Sequence, residues 1–118
     1  MTKLSPHTVA AHFQNRAPEV RRIYDRILGA ARKLGPVREE LKKTSIHLVR
    51  KTAFAGIVTR KDALVLTLKS ATDIASERVA RRERASANRW HLEVRLERAG
   101  EVDRELTTWL KRAYELAN

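Results

Sequence analysis

Cysteine is absent from this 118-residue chain. That excludes disulfides and thiolate-bound metals, and it agrees with a reducing compartment without requiring one. Glycine is sparse, with four residues scattered at positions 29, 35, 56 and 100. No glycine-rich phosphate loop exists, so a nucleotide-binding fold built on one is out. Aromatic residues are only 5% of the chain, which leaves few rings for stacking single-stranded bases. No stretch approaches the ~18 uninterrupted apolar residues of a membrane span. The opening Met1-Thr2-Lys3-Leu4-Ser5-Pro6-His7 has no continuous apolar region behind it. Neither a secretory signal nor a membrane partner is expected, and the default location is the cytoplasm. Acid is the last shortage: between Glu40 and Asp62 there is none, while six bases (Lys42, Lys43, Arg50, Lys51, Arg60 and Lys61) fall in that gap.

The whole chain shares that bias, with 25 Lys plus Arg against 14 Asp plus Glu and a net charge of +11. Such an excess attracts polyanions. A hydrophobic fraction of 42% with 33% charged residues describes a folded domain rather than a disordered one. The length fits one domain spanning residues 1–118.

Periodicity gives the elements. Residues 7–15, with Val9 and Phe13, form a short first helix. Asn15 then reads as the cap of a second, with Pro18 in its first turn. Val20, Ile23, Tyr24, Ile27, Leu28, Ala31 and Leu34 follow at steps of three and four and make one apolar helical stripe. Gly35-Pro36 ends it. Gly29, inside it, costs about 1 kcal/mol relative to alanine unless packing needs the space. Residues 37–43 read as a helical turn. Ile46–Arg50, Ala53–Thr59 and Ala63–Lys69 read as strands, the last fixed by the alternation of Leu64, Leu66 and Leu68. The short Arg60-Lys61-Asp62 link makes the second and third an antiparallel hairpin. Residues 70–88 have good helix formers and a thin apolar stripe, and read as a surface segment that is partly helical or mobile. Trp90, Leu92, Val94 and Leu96 alternate with polar residues as a half-buried strand. A final helix carries Val102, Leu106, Trp109, Leu110, Ala113, Tyr114 and Ala117. The expected fold is a two-layer α+β domain, its sheet of about four mainly antiparallel strands covered by N- and C-terminal helices.

The stretch Lys43 to Leu68, KTSIHLVRKTAFAGIVTRKDALVLTL, resembles the bacterial and archaeal family catalogued as domain of unknown function 5655. The features are a lysine-rich approach (Lys42, Lys43), a strand at His47, Phe54-Ala55, the basic turn Arg60-Lys61 and the leucine alternation at 64, 66 and 68. A tryptophan-led strand from Trp90 to Leu96 and a helix closing on Ala113-Tyr114 extend the likeness from about Val9 onward. The chain departs where Ile46-His47-Leu48 replaces an aromatic pair, and where residues 70–88 are richer in arginine. The resemblance brings no established activity. It implies a module also found fused to nuclease-like or restriction-related domains, an association that favours work near nucleic acid.

Candidate constellations are few. Lys42 and Lys43 enter the first strand at the end where Arg60 and Lys61 leave the second, a four-charge cluster suited to phosphate contact. Arg78, Arg81, Arg82, Arg84 and Arg89 form a second run suited to a polyanion backbone. The plain alternative for both is a solvated, charge-paired surface; Glu77 and Arg81, for instance, have i,i+4 spacing. DNA, RNA or another polyanion is the expected partner. A small-ligand or peptide cleft between sheet and helices near Trp90, His91 and His47 is the alternative. His47 and His91 meeting across the sheet, with Glu93, would be the only hydrolytic or metal-binding group; His7 and His12 have poor ligand spacing. No serine has a nucleophile-elbow context. Neither a catalytic residue, a metal nor a cofactor is expected.

Overall fold

Leu64, Leu66 and Leu68 point one way and Val65, Thr67 and Lys69 the other, and this alternation runs through the middle of the sheet. The computed structural model describes residues 8–118. The elements are α1 (Val9–His12), α2 (Pro18–Arg32), β1 (Arg38–Leu41), β2 (Ile46–Val49), β3 (Ala53–Thr59), β4 (Leu64–Ser70), β5 (Val79–Ser86) and β6 (Arg89–Leu96). A 3₁₀ turn (Ala99–Glu101) and α3 (Arg104–Leu116) follow. Among the described residues the strands form one antiparallel sheet of six, ordered β1-β2-β3-β4-β6-β5. No described helix is long and apolar enough to cross a membrane.

The helices cover one face. Val20, Ile23, Tyr24, Ile27 and Ala31 of α2 and Leu106, Leu110 and Ala113 of α3 pack on Ile46, Leu48, Ile57, Leu64, Leu66, Leu92, Val94 and Leu96, all buried. Each such Val, Leu or Ile side chain contributes about 1.5–3 kcal/mol by leaving water. Phe54 meets Tyr114 edge-on, with centroids 5.2 Å apart. The two helices run in the same direction. At one end the Glu19 carboxylate accepts from the Ala99 N–H (2.9 Å), and at the other Tyr114 donates to the Pro36 carbonyl (3.1 Å). Gly35, at φ 151°, permits that second contact, because a Cβ there would collide with the Tyr114 phenol.

Three local expectations change. Residues 37–43 hold strand β1, not a helical turn. The strand shows no alternation because it is an edge, anchored by Glu39, which accepts hydrogen bonds from Tyr24 and Arg32. Burial, reinforced by the Glu39 carboxylate, pushes the Tyr24 phenol's pKa up. Residues 79–86 are strand β5, neither helical nor irregular, so the sheet has six strands where about four are expected. Only Val79 of β5 is buried, so the usual period-two signal is missing, and the arginine-rich composition imitates a solvated helix. Asn15 is not the cap of α2; it sits at φ 61° in the turn between the helices, and Ala17 precedes Pro18 without a capping side chain.

Both sheet edges are unsuited to further pairing. β1 is four residues long and carries Arg38, Glu39 and Glu40. β5 carries Arg81, Arg82, Glu83 and Arg84 and has register shifts near both ends. Short, charged or bulged edges resist strand addition.

Candidate functional site

Two turns bring the first basic cluster to one end of the sheet. Leu41 lies opposite Ile46, and Ile46 opposite Ile57, so the β1–β2 and β3–β4 turns emerge together. The first, closed by the Lys42 N–H on the Ser45 carbonyl (2.8 Å), holds Lys42 and Lys43. The second, closed by the Arg60 N–H on the Ala63 carbonyl (2.7 Å), holds Arg60 and Lys61. The α1–α2 junction is bound to the same place. The Ala17 N–H donates to the Lys61 carbonyl (2.8 Å), and Arg16 Nε donates to the Thr59 hydroxyl (3.1 Å). That hydroxyl in turn donates to the carbonyl of His12 (2.6 Å). Arg16 joins this end through tertiary contacts alone, and nothing in its neighbourhood in the sequence announces it.

The field at this end is only partly cancelled. Lys42 pairs with Glu40 at 2.6 Å, and Arg38 reaches the same carboxylate at 3.7 Å. The Lys42 hydrogen bond and charge hold the Glu40 pKa below its ordinary value. Lys43, Arg60 and Lys61 are exposed, and among the described residues no carboxylate pairs with them. Arg50, at the opposite end of β2, is engaged: its guanidinium lies 4.4 Å from the Tyr114 ring centroid and donates to the Tyr114 carbonyl (3.2 Å).

The second basic run is an ordered edge strand and its approach. Arg78 is the most enclosed member. It pairs with Asp103 (2.9 Å) and Glu105 (3.0 Å), donates to the Glu101 carbonyl (2.6 Å) and lies over the Trp109 ring. Burial alone would lower its pKa, but the two carboxylates more than offset this and raise it. Arg82 pairs with Asp73 (2.9 Å), and Arg81 approaches Glu93 (3.9 Å). Arg84 stands over Trp90 and donates to the carbonyls of Ser86 and Ala87. Arg89 donates to the Asn88 carbonyl (2.8 Å). Arg84 and Arg89 sit at the β5–β6 hairpin tip, whereas Arg78 precedes β5 at its other end. The run therefore does not form a single free patch.

Among the described residues no helix covers the sheet's second face. Across all six strands one row of register partners reads Glu40, His47, Gly56, Thr67, Glu93 and Arg81. Gly56 leaves a gap in this row, since a Cβ there would rest 3.9 Å from both His47 and Thr67. The result is a shallow depression of about 320 Å³ whose rim includes His47, Thr67, Lys69 and His91. Trp90 is not part of it. Trp90 and His91 are adjacent on β6 and so face opposite ways, and Trp90 packs partly buried against the core on the helix side. The cleft thus lies on the open face, not between sheet and helices.

His47 and His91 do not meet. β3 and β4 stand between their strands, and three spacings of about 4.8 Å together with a two-residue offset along β6 put them roughly 16 Å apart. They cannot share a proton or a metal ion, and among the described residues no three His, Cys, Asp or Glu side chains form a metal-binding group. His12 is buried in the last turn of α1, and His7 lies outside the described residues.

Comparison with known proteins places this arrangement in a family without giving it a task. No match was found among curated proteins or among solved structures. One family model, described as Domain of unknown function (DUF5655), matches residues 9–117. That match covers both basic regions, the open face and every element from α1 to α3, and the chain belongs to this family.

Proposed function

We propose that the protein is a non-enzymatic binding module for an anionic partner, nucleic acid being the polyanion that suits it best. One observation supports the reading above the rest. Lys42, Lys43, Arg60 and Lys61 gather from two turns at one end of the sheet, and Arg16 adds a fifth cation from a third segment. Backbone phosphates are the fitting target, because Trp109, Tyr24, Phe54 and Tyr114 are buried and Phe13 and Trp90 partly so, which leaves little ring surface to stack on bases. Contacts of this kind release counterions and give salt-sensitive affinity. Replacing Lys42, Lys43, Arg60 and Lys61 by alanine should weaken binding to duplex DNA. It should also flatten the dependence of log affinity on log salt by about 0.9 for each phosphate that is no longer neutralised. A native protein with no salt-sensitive binding to DNA or RNA would end this reading.

The open-face depression favours a second reading, a small-ligand module that uses His47, Thr67, Lys69 and His91 around Gly56. Gly56→Leu fills the gap from the solvent side. On this reading it abolishes ligand-induced NMR shifts at His47 and His91, and a variant that still shows them rules the reading out.

A further inference from the structure

The arginines and lysines of α2 and its C-terminal end divide into two groups. Arg21 pairs with Asp25 (3.0 Å), Arg22 with Glu19 (3.0 Å) and Arg32 with Glu39 (3.3 Å). Arg26 and Lys33 have no carboxylate partner among the described residues, and both line a groove between α2 and α3 together with Lys111 of α3. Arg26 and Lys33 are two helical turns apart, about 10 Å along the axis. The parallel course of the helices brings Lys111 alongside from the second wall. The groove has a volume of about 540 Å³, and no carboxylate lines it. Glu19 and Asp25 of α2 and Glu39 of β1 thus neutralise the α2 cations outside the groove, whereas those inside it have no such partner.

Gly29 of α2 lines the groove and lies between Arg26 and Lys33 in the sequence. A glycine inside a helix lowers stability by about 1 kcal/mol relative to alanine. No internal contact requires it, since a Cβ there meets nothing within 4 Å. Unneutralised like charges and a helix-weakening residue with no packing reason coincide at one place, which is where local rules give way to binding. The opposite wall supplies Thr107 and Thr108. Both hydroxyls donate to the Arg104 carbonyl (3.0 and 2.8 Å), which leaves their lone pairs free to accept.

We infer that this groove binds a small phosphomonoester carrying hydroxyl groups, such as a phosphorylated sugar or polyol. Its phosphate is held by Arg26, Lys33 and Lys111, its body lies over Gly29, and its hydroxyls donate to Thr107 and Thr108. The site is separate from the basic end of the sheet and does not depend on the nucleic-acid reading.

Titration of the isotopically labelled full chain with ribose 5-phosphate, at ionic strength fixed with potassium chloride, tests this by amide NMR. The expected shifts centre on Gly29, Ala30, Lys33, Thr107, Thr108 and Lys111. Lys33→Ala combined with Lys111→Ala should weaken binding at least tenfold. Gly29→Leu, which strengthens the helix and adds bulk at the groove lining, should remove binding while leaving the remaining spectrum in place. The Lys42/Lys43/Arg60/Lys61 alanine variant should bind as the native chain does. Shifts scattered over surface lysines, undiminished binding by the groove variants, or inorganic phosphate binding as tightly as ribose 5-phosphate would each overturn the assignment.

Discussion

Asp103 holds Arg78 and caps a helix with the same carboxylate. Its Oδ1 accepts from Arg78 at 2.9 Å and from the Leu106 N–H at 3.0 Å, which ties the start of β5 to the first turn of α3. Asp103→Ala removes both bonds and should cost about 1–2 kcal/mol in urea denaturation. Asp103→Asn keeps a competent cap and loses only the charge pair, so it should cost less than half as much. Equal losses from the two variants would show that the ion pair, not the cap, carries the stability.

The same carboxylate predicts a pH dependence. The Leu106 N–H, followed by Arg78, holds the Asp103 pKa below its ordinary value of 3.8. Folding therefore favours the charged form. The contribution is complete above the ordinary carboxylate range and disappears as pH falls through the depressed value. Between about pH 5 and pH 2 the native protein should lose more stability than Asp103→Ala, as read from urea midpoints along that range.

Gly35 and Gly29 should respond in opposite directions to alanine. At Gly35 the positive φ and the Tyr114 phenol both reject a side chain, and the loss should be about 1–3 kcal/mol. At Gly29 a methyl group enters open space on a helix, and the gain should be about 0.5–1 kcal/mol. Thermal unfolding of the two variants checks both signs.

Thr59→Val should loosen the N-terminal segment. The hydroxyl is buried, donates to the His12 carbonyl and accepts from Arg16. An isosteric valine leaves both partners unsatisfied at a cost of about 1–3 kcal/mol. Amide exchange should rise first in α1 and at Ala17, and uniform protection there would contradict this account.

Arg78→Ala should separate structure from binding. It removes two ion pairs and the contact with Trp109, so stability falls. Affinity for duplex DNA should stay within about twofold of native, because a guanidinium already shared by two carboxylates releases few counterions. A large fall in affinity at unchanged salt would return Arg78 to the contact surface.

Legibility in the sequence follows the number of neighbours each segment has. The stripe of α2, the leucines of β4 and the alternation of β6 are each packed on one side and wet on the other, and their periods state this directly. β1 and β5 pair on one side only; β1 is half-buried without alternation and β5 buries only Val79, so composition replaces period as the signal and misleads. The two basic turns are legible because hairpin geometry fixes which ends coincide. Arg16 and Lys111 are not, since each reaches its surroundings through packing between segments far apart in the chain. His47 and His91 share a face but not a neighbourhood, a distinction that needs the strand order.

With Arg38, Glu39 and Glu40 on one margin and bulged, arginine-rich β5 on the other, the sheet offers no docking slot for a peptide that would bind by extending it. On the proposed reading, recognition falls to the broad surfaces and turn-bearing ends, through side chains rather than main-chain hydrogen bonding. A binding module built this way would have its specificity set by substitutions that leave the backbone untouched.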